Sequence, residues 1–229
     1  MGLSDLATAG KQAVKGVIFD LDGTVIDTER FSLVAWPKVS RELGYPVTEE
    51  MTRRFVGQNE ATERKLLCNE FGYAFPYDKI RDEILRLQRE TAEKEGIAVK
   101  KGFRELMAYI KEAAIPYSLA TSSSRAAVGW KLEHAGLSGV FSLIVCGDEV
   151  ENGKPAPDIF LKAARMTGQE PEDCIGIEDS EAGLRGLRSA GIRSVFIKDL
   201  VTPAQDVLAG IWRECGDLSE VRALLDSSD

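Results

Sequence analysis

Short apolar runs recur along the chain, several closing on a polar or acidic residue, with amphipathic stretches between them. Gly16-Val17-Ile18-Phe19 ends at Asp20, Pro116-Tyr117-Ser118-Leu119-Ala120 at Thr121, and Cys174-Ile175-Gly176-Ile177 at Glu178-Asp179. Phe141-Ser142-Leu143-Ile144-Val145 and Ser194-Val195-Phe196-Ile197 complete the set. Runs this short and this apolar predict strands buried on both faces, as in a parallel sheet. Between them, Gly102 to Ala114 places Phe103, Leu106, Met107 and Ile110 at helical spacing. Ser124 to His134, Pro157 to Met166 and Ser180 to Ala190 are further helices, the last two opened by Pro and by Ser as helix starts commonly are. Strand–helix alternation of this kind predicts an open, doubly wound (Rossmann-like) α/β sheet.

One region breaks the alternation. From Thr28 to about Ala98 the periodicity is helical, over Phe31 to Leu43, Glu60 to Phe71 and Asp78 to Glu95, with Gly44, Pro46, Gly57, Gly72 and Pro76 as punctuation. The expected organisation is therefore an α/β core, residues 1–27 and 99–229, interrupted after its first strand by an all-α insert, residues 28–98.

Composition narrows the function. The 229 residues are 44% hydrophobic and 29% charged, an ordinary globular balance, with a formal net charge of −8. That charge disfavours nucleic acid and anionic membrane as partners, and no apolar run approaches the roughly 20 residues of a membrane span. The four cysteines form no CxxC pair and are expected to be reduced thiols of a cytosolic protein. Residues 1–12 look like a loose leader without a signal core. A monomer is the expected state. A phosphate ligand on so acidic a protein would need local positive charge.

In open parallel sheets, ligands bind beyond the carboxyl ends of the strands. The proposed strands deliver Asp20 and Asp22, Thr121 and Ser122, and Glu178 and Asp179 to that edge, and Lys154 lies in the loop after the third. The Asp20-Leu21-Asp22-Gly23 run alone is equally a turn, and it does not fit a calcium loop, having no third acid before the glycine and no helix in front. Glu178-Asp179 alone could be a helix cap with a nearby acid. Together the four carboxylates need a cation, and hard oxygen donors favour Mg²⁺ over zinc. Lys154, within Gly153-Lys154-Pro155-Ala156-Pro157-Asp158, is either a solvated lysine or one held by a shaped loop; Pro155 rules out a P-loop. Thr121-Ser122-Ser123-Ser124 offers hydroxyls and amides at a helix start, suited to an oxyanion or to capping. His134, the single histidine, has no evident Ser or Cys partner and carries a packing assignment.

Taken together, Asp20-Leu21-Asp22-Gly23-Thr24, Thr121, Lys154 in GKPAPD and Ile177-Glu178-Asp179-Ser180 resemble the four motifs, in order, of the haloacid dehalogenase superfamily, over about Gly16 to Ile197. The resemblance implies an α-helical cap at the insert and catalysis by Asp20, Asp22, Thr121 and Lys154. Asp20 would be the nucleophile and Asp22 the general acid/base. Thr121, Ser122 and Lys154 would bind phosphate. Mg²⁺ would sit on Asp20, the Asp22 backbone carbonyl, Glu178 and Asp179. The expected activity is hydrolysis of a small phosphate monoester, of sugar phosphate or nucleoside monophosphate type, through an aspartyl-phosphate. An aspartate at position 22 disfavours the family's dehalogenases and phosphonate hydrolases. The alternative is a phosphomutase resembling β-phosphoglucomutase, whose cap carries a histidine where this chain has Ser32, and Lys and Arg where it has Val56 and Glu60. Substrate contacts are expected from the insert at Thr28, Glu29, Arg30 and Phe31 and in the loop Val56-Gly57-Gln58-Asn59. Trp36 and Phe55 are expected to pack between helices, and Arg53 and Arg54 to be surface charges.

Overall fold

A computed structural model describes residues 13–55, 60–200 and 202–226. Among these, six strands form one parallel sheet: β1 (Gly16–Phe19), β2 (Tyr117–Thr121), β3 (Ile144–Cys146), β4 (Cys174–Glu178), β5 (Arg193–Ile197) and β6 (Arg213–Cys215), in the order β3-β2-β1-β4-β5-β6. The order reverses at β1, so β2 and β4 flank the strand that ends in Asp20.

Alternation along each strand decides which layer it packs against. Val17 and Phe19 of β1, with Ile175 and Ile177 of β4, meet α5 (Phe103–Glu112), α6 (Arg125–His134) and α10 (Leu218–Asp226) through Phe103, Leu106, Ile110, Val128 and Val221. Ile18 faces the other way, onto Ile159, Phe160 and Ala163 of α7 (Asp158–Thr167) and Leu187 of α8 (Glu181–Ser189). Both faces of the sheet are thus covered by helices, which accounts for the unbroken apolar runs. A short α9 (Gln205–Leu208) packs Val207 against Leu184 and Phe196.

Between β1 and α5 the chain makes four helices: α1 (Glu29–Glu42), α2 (Glu49–Arg53), α3 (Glu60–Phe71) and α4 (Tyr77–Glu95). They have a hydrophobic cluster of their own, with Trp36, Val39, Phe55, Leu67, Tyr77, Ile80 and Ile84 buried in it. Trp36 packs edge-on to Phe55 with ring centroids 5.1 Å apart, so both pack between helices as expected, and both also line the cleft. Arg53 is not a free surface charge: its Nη1 donates to the Leu200 carbonyl after β5 at 3.1 Å, a tie between insert and core.

Three elements differ from the sequence reading. The third strand pairs only over Ile144–Cys146, because Phe141 turns inward to stack edge-on against Phe19 (5.7 Å) instead of extending the ladder. The edge strand β6, with Arg213 and Glu214 exposed, has no apolar run to announce it. The five-residue α2, Glu49-Glu50-Met51-Thr52-Arg53, is mostly polar. No helix among the described residues is long and apolar enough to cross a membrane.

Candidate active site

The groups at the strand ends converge on the floor of a cleft of about 560 Å³ between the sheet edge and the helical insert. Asp20 follows β1, and its N–H donates to the Ile177 carbonyl of β4 at 3.0 Å, so the register of the two strands fixes its backbone. Lys154, only 6% exposed, donates to Asp20 Oδ1 at 2.5 Å and to Glu178 Oε1 at 2.6 Å. Its ammonium also lies 4.9 Å from the centroid of the Phe160 ring. The lysine of GKPAPD is therefore held inside the site, and the solvated-loop alternative is removed.

The turn after β1 shapes the rest. Gly23 has φ +85°, and a Cβ there would lie 2.2 Å from Asp179 Oδ2. Only a glycine permits both the left-handed turn and this approach of Asp179. Thr24 Oγ1 donates to Asp179 Oδ1 at 2.7 Å, so the Gly-Thr of the first run serves to place the last acid of the fourth. Glu178 is fixed in turn by the Ser180 N–H (2.7 Å) and Oγ (2.9 Å) on its Oε2. Gly183 leaves the space it fills, since a Cβ there would come within 1.7 Å of Glu178 Oε1.

Carboxylate oxygens of Asp20, Glu178 and Asp179, all buried, lie within 4.8 Å of one another. One ammonium, that of Lys154, stands against them. A buried cluster of hard oxygen donors with surplus negative charge fits a divalent cation of the Mg²⁺ type. The Asp22 carboxylate takes no part in this cluster. It accepts from Thr28 Oγ1 at 2.5 Å, from Ser123 Oγ at 2.9 Å, and from Lys131 Nζ at 2.7 and 2.8 Å on its two oxygens.

These surroundings set the two aspartates apart. Burial, reinforced by Glu178 and Asp22, pushes Asp20 up to about 8 although Lys154 pulls it down. Burial would raise Asp22 as well, but the Lys131 ammonium and the three side-chain hydrogen bonds more than offset it and hold that carboxyl below its usual range. Asp179 is raised by burial and by Glu29, Glu178 and Asp20. Burial opposes the Lys154 charge, yet Asp20 and Glu178 hold its proton more firmly than water does. Without a divalent cation the folded site thus keeps a proton that the unfolded chain releases near 3.8. Thermal stability of the cation-free protein should therefore fall as pH rises from about 4 toward about 8, because the folded state binds the additional proton across that window. Added Mg²⁺ should flatten that fall. Melting temperatures followed across the window, with chelator and with Mg²⁺, measure both effects.

A model of haloacid dehalogenase-like hydrolases matches residues 14–191. The chain belongs to that family. It is 30% identical to the phosphorylated carbohydrates phosphatase of Thermotoga maritima over 80% of this chain and 84% of that protein. It is 32% identical to the β-phosphoglucomutase of Bacillus subtilis over 80% of this chain and 83% of that one. Among solved structures it superposes on CbbY from Rhodobacter sphaeroides in complex with phosphate, with TM-score 0.75 and 26% identity over 91% of this chain and 96% of that chain.

Within this hydrolase, the structure brings Asp20, Asp22, Thr121, Ser122 and Lys154 to the cleft, with Glu178 and Asp179 at its base. Thr121 is buried and its Oγ1 accepts from the Ser123 N–H at 3.1 Å. Ser124 caps α6 through the Ala127 N–H, which frees Ser123 to reach Asp22. Thr28 and Glu29 line the cleft, whereas Arg30 turns away to Asp27 (2.9 Å) and Phe31 packs within the insert. Gly57 and Gln58, with Val56 and Asn59, lie outside the described residues. His134 Nδ1 is 2.9 Å from the Trp130 carbonyl, apart from the site.

Sequence reasoning missed Lys131, which sits on α6 and is recognisable only once that helix is packed on the sheet. It also missed the far wall of the cleft, where Glu63, Arg81, Gln88 and Arg89 face the strand ends. Glu63 there accepts from Tyr77 Oη at 2.7 Å and from Arg81 Nη1 at 2.9 Å.

Proposed function

We propose that this hydrolase cleaves a small phosphate monoester of the sugar phosphate or nucleoside monophosphate type, with Mg²⁺, through a phosphoryl group carried on Asp20. The observation that carries the reading is the division of labour between two aspartates one residue apart. Asp20 lies against a buried lysine in the acidic cluster, and Asp22 is held in a separate hydrogen-bonded pocket. Phosphatases among its relatives support the reaction class.

In the first displacement an Asp20 oxygen attacks phosphorus, the bond from phosphorus to the ester oxygen breaks, and protonated Asp22 gives its proton to the departing alkoxide. In the second, the Asp22 carboxylate takes a proton from water, whose oxygen attacks the same phosphorus and frees Asp20. Lys154 and the Thr121–Ser122 segment would hold the phosphoryl oxygens. Asp20, Glu178, Asp179 and the Asp22 carbonyl would hold Mg²⁺, which would supply the positive charge that lets an anionic nucleophile approach an anionic ester.

Lys131 acts on this scheme through Asp22. It favours the ionised form, ready for the second displacement, and opposes the protonated form needed in the first. Lys131→Met should raise the Asp22 pKa and move the descending limb of kcat/KM to higher pH, which a pH–rate profile records. An unmoved limb would separate Lys131 from the proton transfers.

Incubation with p-nitrophenyl phosphate and Mg²⁺, followed by a panel of metabolite phosphates with phosphate release as the readout, tests the reading. No turnover of any ester by folded, metal-supplied protein sinks it. A phosphomutase would instead interconvert glucose 1-phosphate and glucose 6-phosphate without releasing phosphate. Ser32 and Glu60, two of the positions where this chain departs from that pattern, both line the cleft.

A further inference from the structure

Beside the proposed catalytic cluster, and sharing Asp179 with it, lies a second group of acids, of which the reaction leaves Glu29 and Asp199 unused. Carboxylate oxygens of Glu29, Asp179 and Asp199 fall within 4.8 Å of one another. Glu29 is 8% exposed, Asp179 5%, and the Asp199 side chain 3%. Glu29 opens α1, Asp179 follows β4, and Asp199 follows β5. We infer that Glu29, Asp179 and Asp199 form a second divalent-cation site, which joins the first turn of the helical insert to two strand ends of the core.

One observation beyond the clustering points to a ligand. Asp199 Oδ2 is buried and has no hydrogen-bond partner among the described residues. Its other oxygen is satisfied, lying 2.8 Å from Lys100 Nζ and 3.7 Å from Arg30 Nη2. Glu29, 8% exposed as a residue, lines the cleft and brings its carboxylate beside the other two acids. A buried polar atom left unpaired costs free energy, and a buried unpaired carboxylate costs more. Three carboxylates against the one close ammonium of Lys100 leave negative charge for a hard cation to neutralise, and their all-oxygen donor set matches Mg²⁺, Mn²⁺ or Ca²⁺.

The placement gives the site a consequence. The chain leaves the core for the insert at Asp27–Thr28 and returns near Lys100, whose N–H donates to the Val25 carbonyl at 2.9 Å. A cation on Glu29 would brace the insert beside both crossings, so its occupancy would set how firmly the insert sits over the cleft. The inference rests on the proposed function only in that Asp179 would serve both sites.

Mn²⁺ titrated into the full chain, with free ion counted by electron paramagnetic resonance, tests it. The wild type should bind two ions per chain, and Asp199→Asn one. Asp20→Asn should also bind one, having lost the catalytic ion and kept the other. Two ions in both Asp20→Asn and the wild type, with one in Asp199→Asn, would leave this site standing and sink the catalytic one. A single ion in the wild type overturns the inference, with Glu29 then holding a proton in place of a metal. Two ions retained by Asp199→Asn overturn it equally. Should Asp199→Asn fail to fold, Glu29→Gln makes the same test, with loss of one ion expected and retention of two decisive against.

Discussion

Asp20→Asn should remove turnover of every phosphate ester, by at least about 10³-fold, while the protein stays folded. The asparagine keeps the shape of the side chain and its reach to Lys154 but has no charged oxygen with which to attack phosphorus. Two controls give the result its meaning. The variant should melt no lower than the wild type in chelator, because it replaces a buried carboxyl that burial and Glu178 disfavour in its charged form. It should also fail to incorporate phosphoryl groups, whereas a wild-type sample quenched in acid during turnover should show them on Asp20. Residual activity within tenfold of the wild type in the variant would move the nucleophile elsewhere.

The second large effect belongs to Asp22→Asn, where we expect a loss of roughly 10²–10⁴ in kcat, the usual range for removing an acid/base group. The pattern across substrates is more telling than its size. p-Nitrophenolate departs without help from an acid, so with that substrate the first displacement should survive and the second should not. A burst of one equivalent of p-nitrophenol per active site, followed by slow release, is the expected trace. An alkyl phosphate should give no burst, because its leaving oxygen needs the proton. Equal losses for both substrates with no burst would show that Asp22 positions the substrate and does not transfer protons.

The sequence carried the floor of the site well and its walls poorly, for a physical reason. Buried parallel strands are uniformly apolar, so the residue at which each run stops is conspicuous, and here Asp20, Thr121 and Glu178 stand at those stops. Lys154 was visible through the Gly and Pro around it. Lys131 was not, because on α6 it is one basic residue among ordinary helix surface positions. Its meaning comes from the packing of α6 on the sheet, which sets Nζ 2.7 Å from Asp22. Ser123 was read with its neighbours as a cap or an anion binder, and capping falls to Ser124 while Ser123 turns to Asp22. The four-helix insert showed in the loss of strand runs, but which of its faces meets the cleft depends on how α1 and α4 pack, and pattern alone does not say. The edge strand β6 escaped because Arg213 and Glu214 face solvent, where no apolar signal is required.

The two glycines that border the acids bear on how mutational data for this chain should be understood. Gly23 and Gly183 carry no functional group, yet each occupies space where a single methyl would strike Asp179 or Glu178. A saturation library scored by activity would therefore rank both with the aspartates, and a ranking by tolerance alone would count them as chemistry. Scoring folded yield beside activity separates the cases: Asp20→Asn should leave yield intact, whereas substitutions at the glycines should displace an acid and disturb packing together. Intolerance at these two positions marks the shape of the vessel, not its contents.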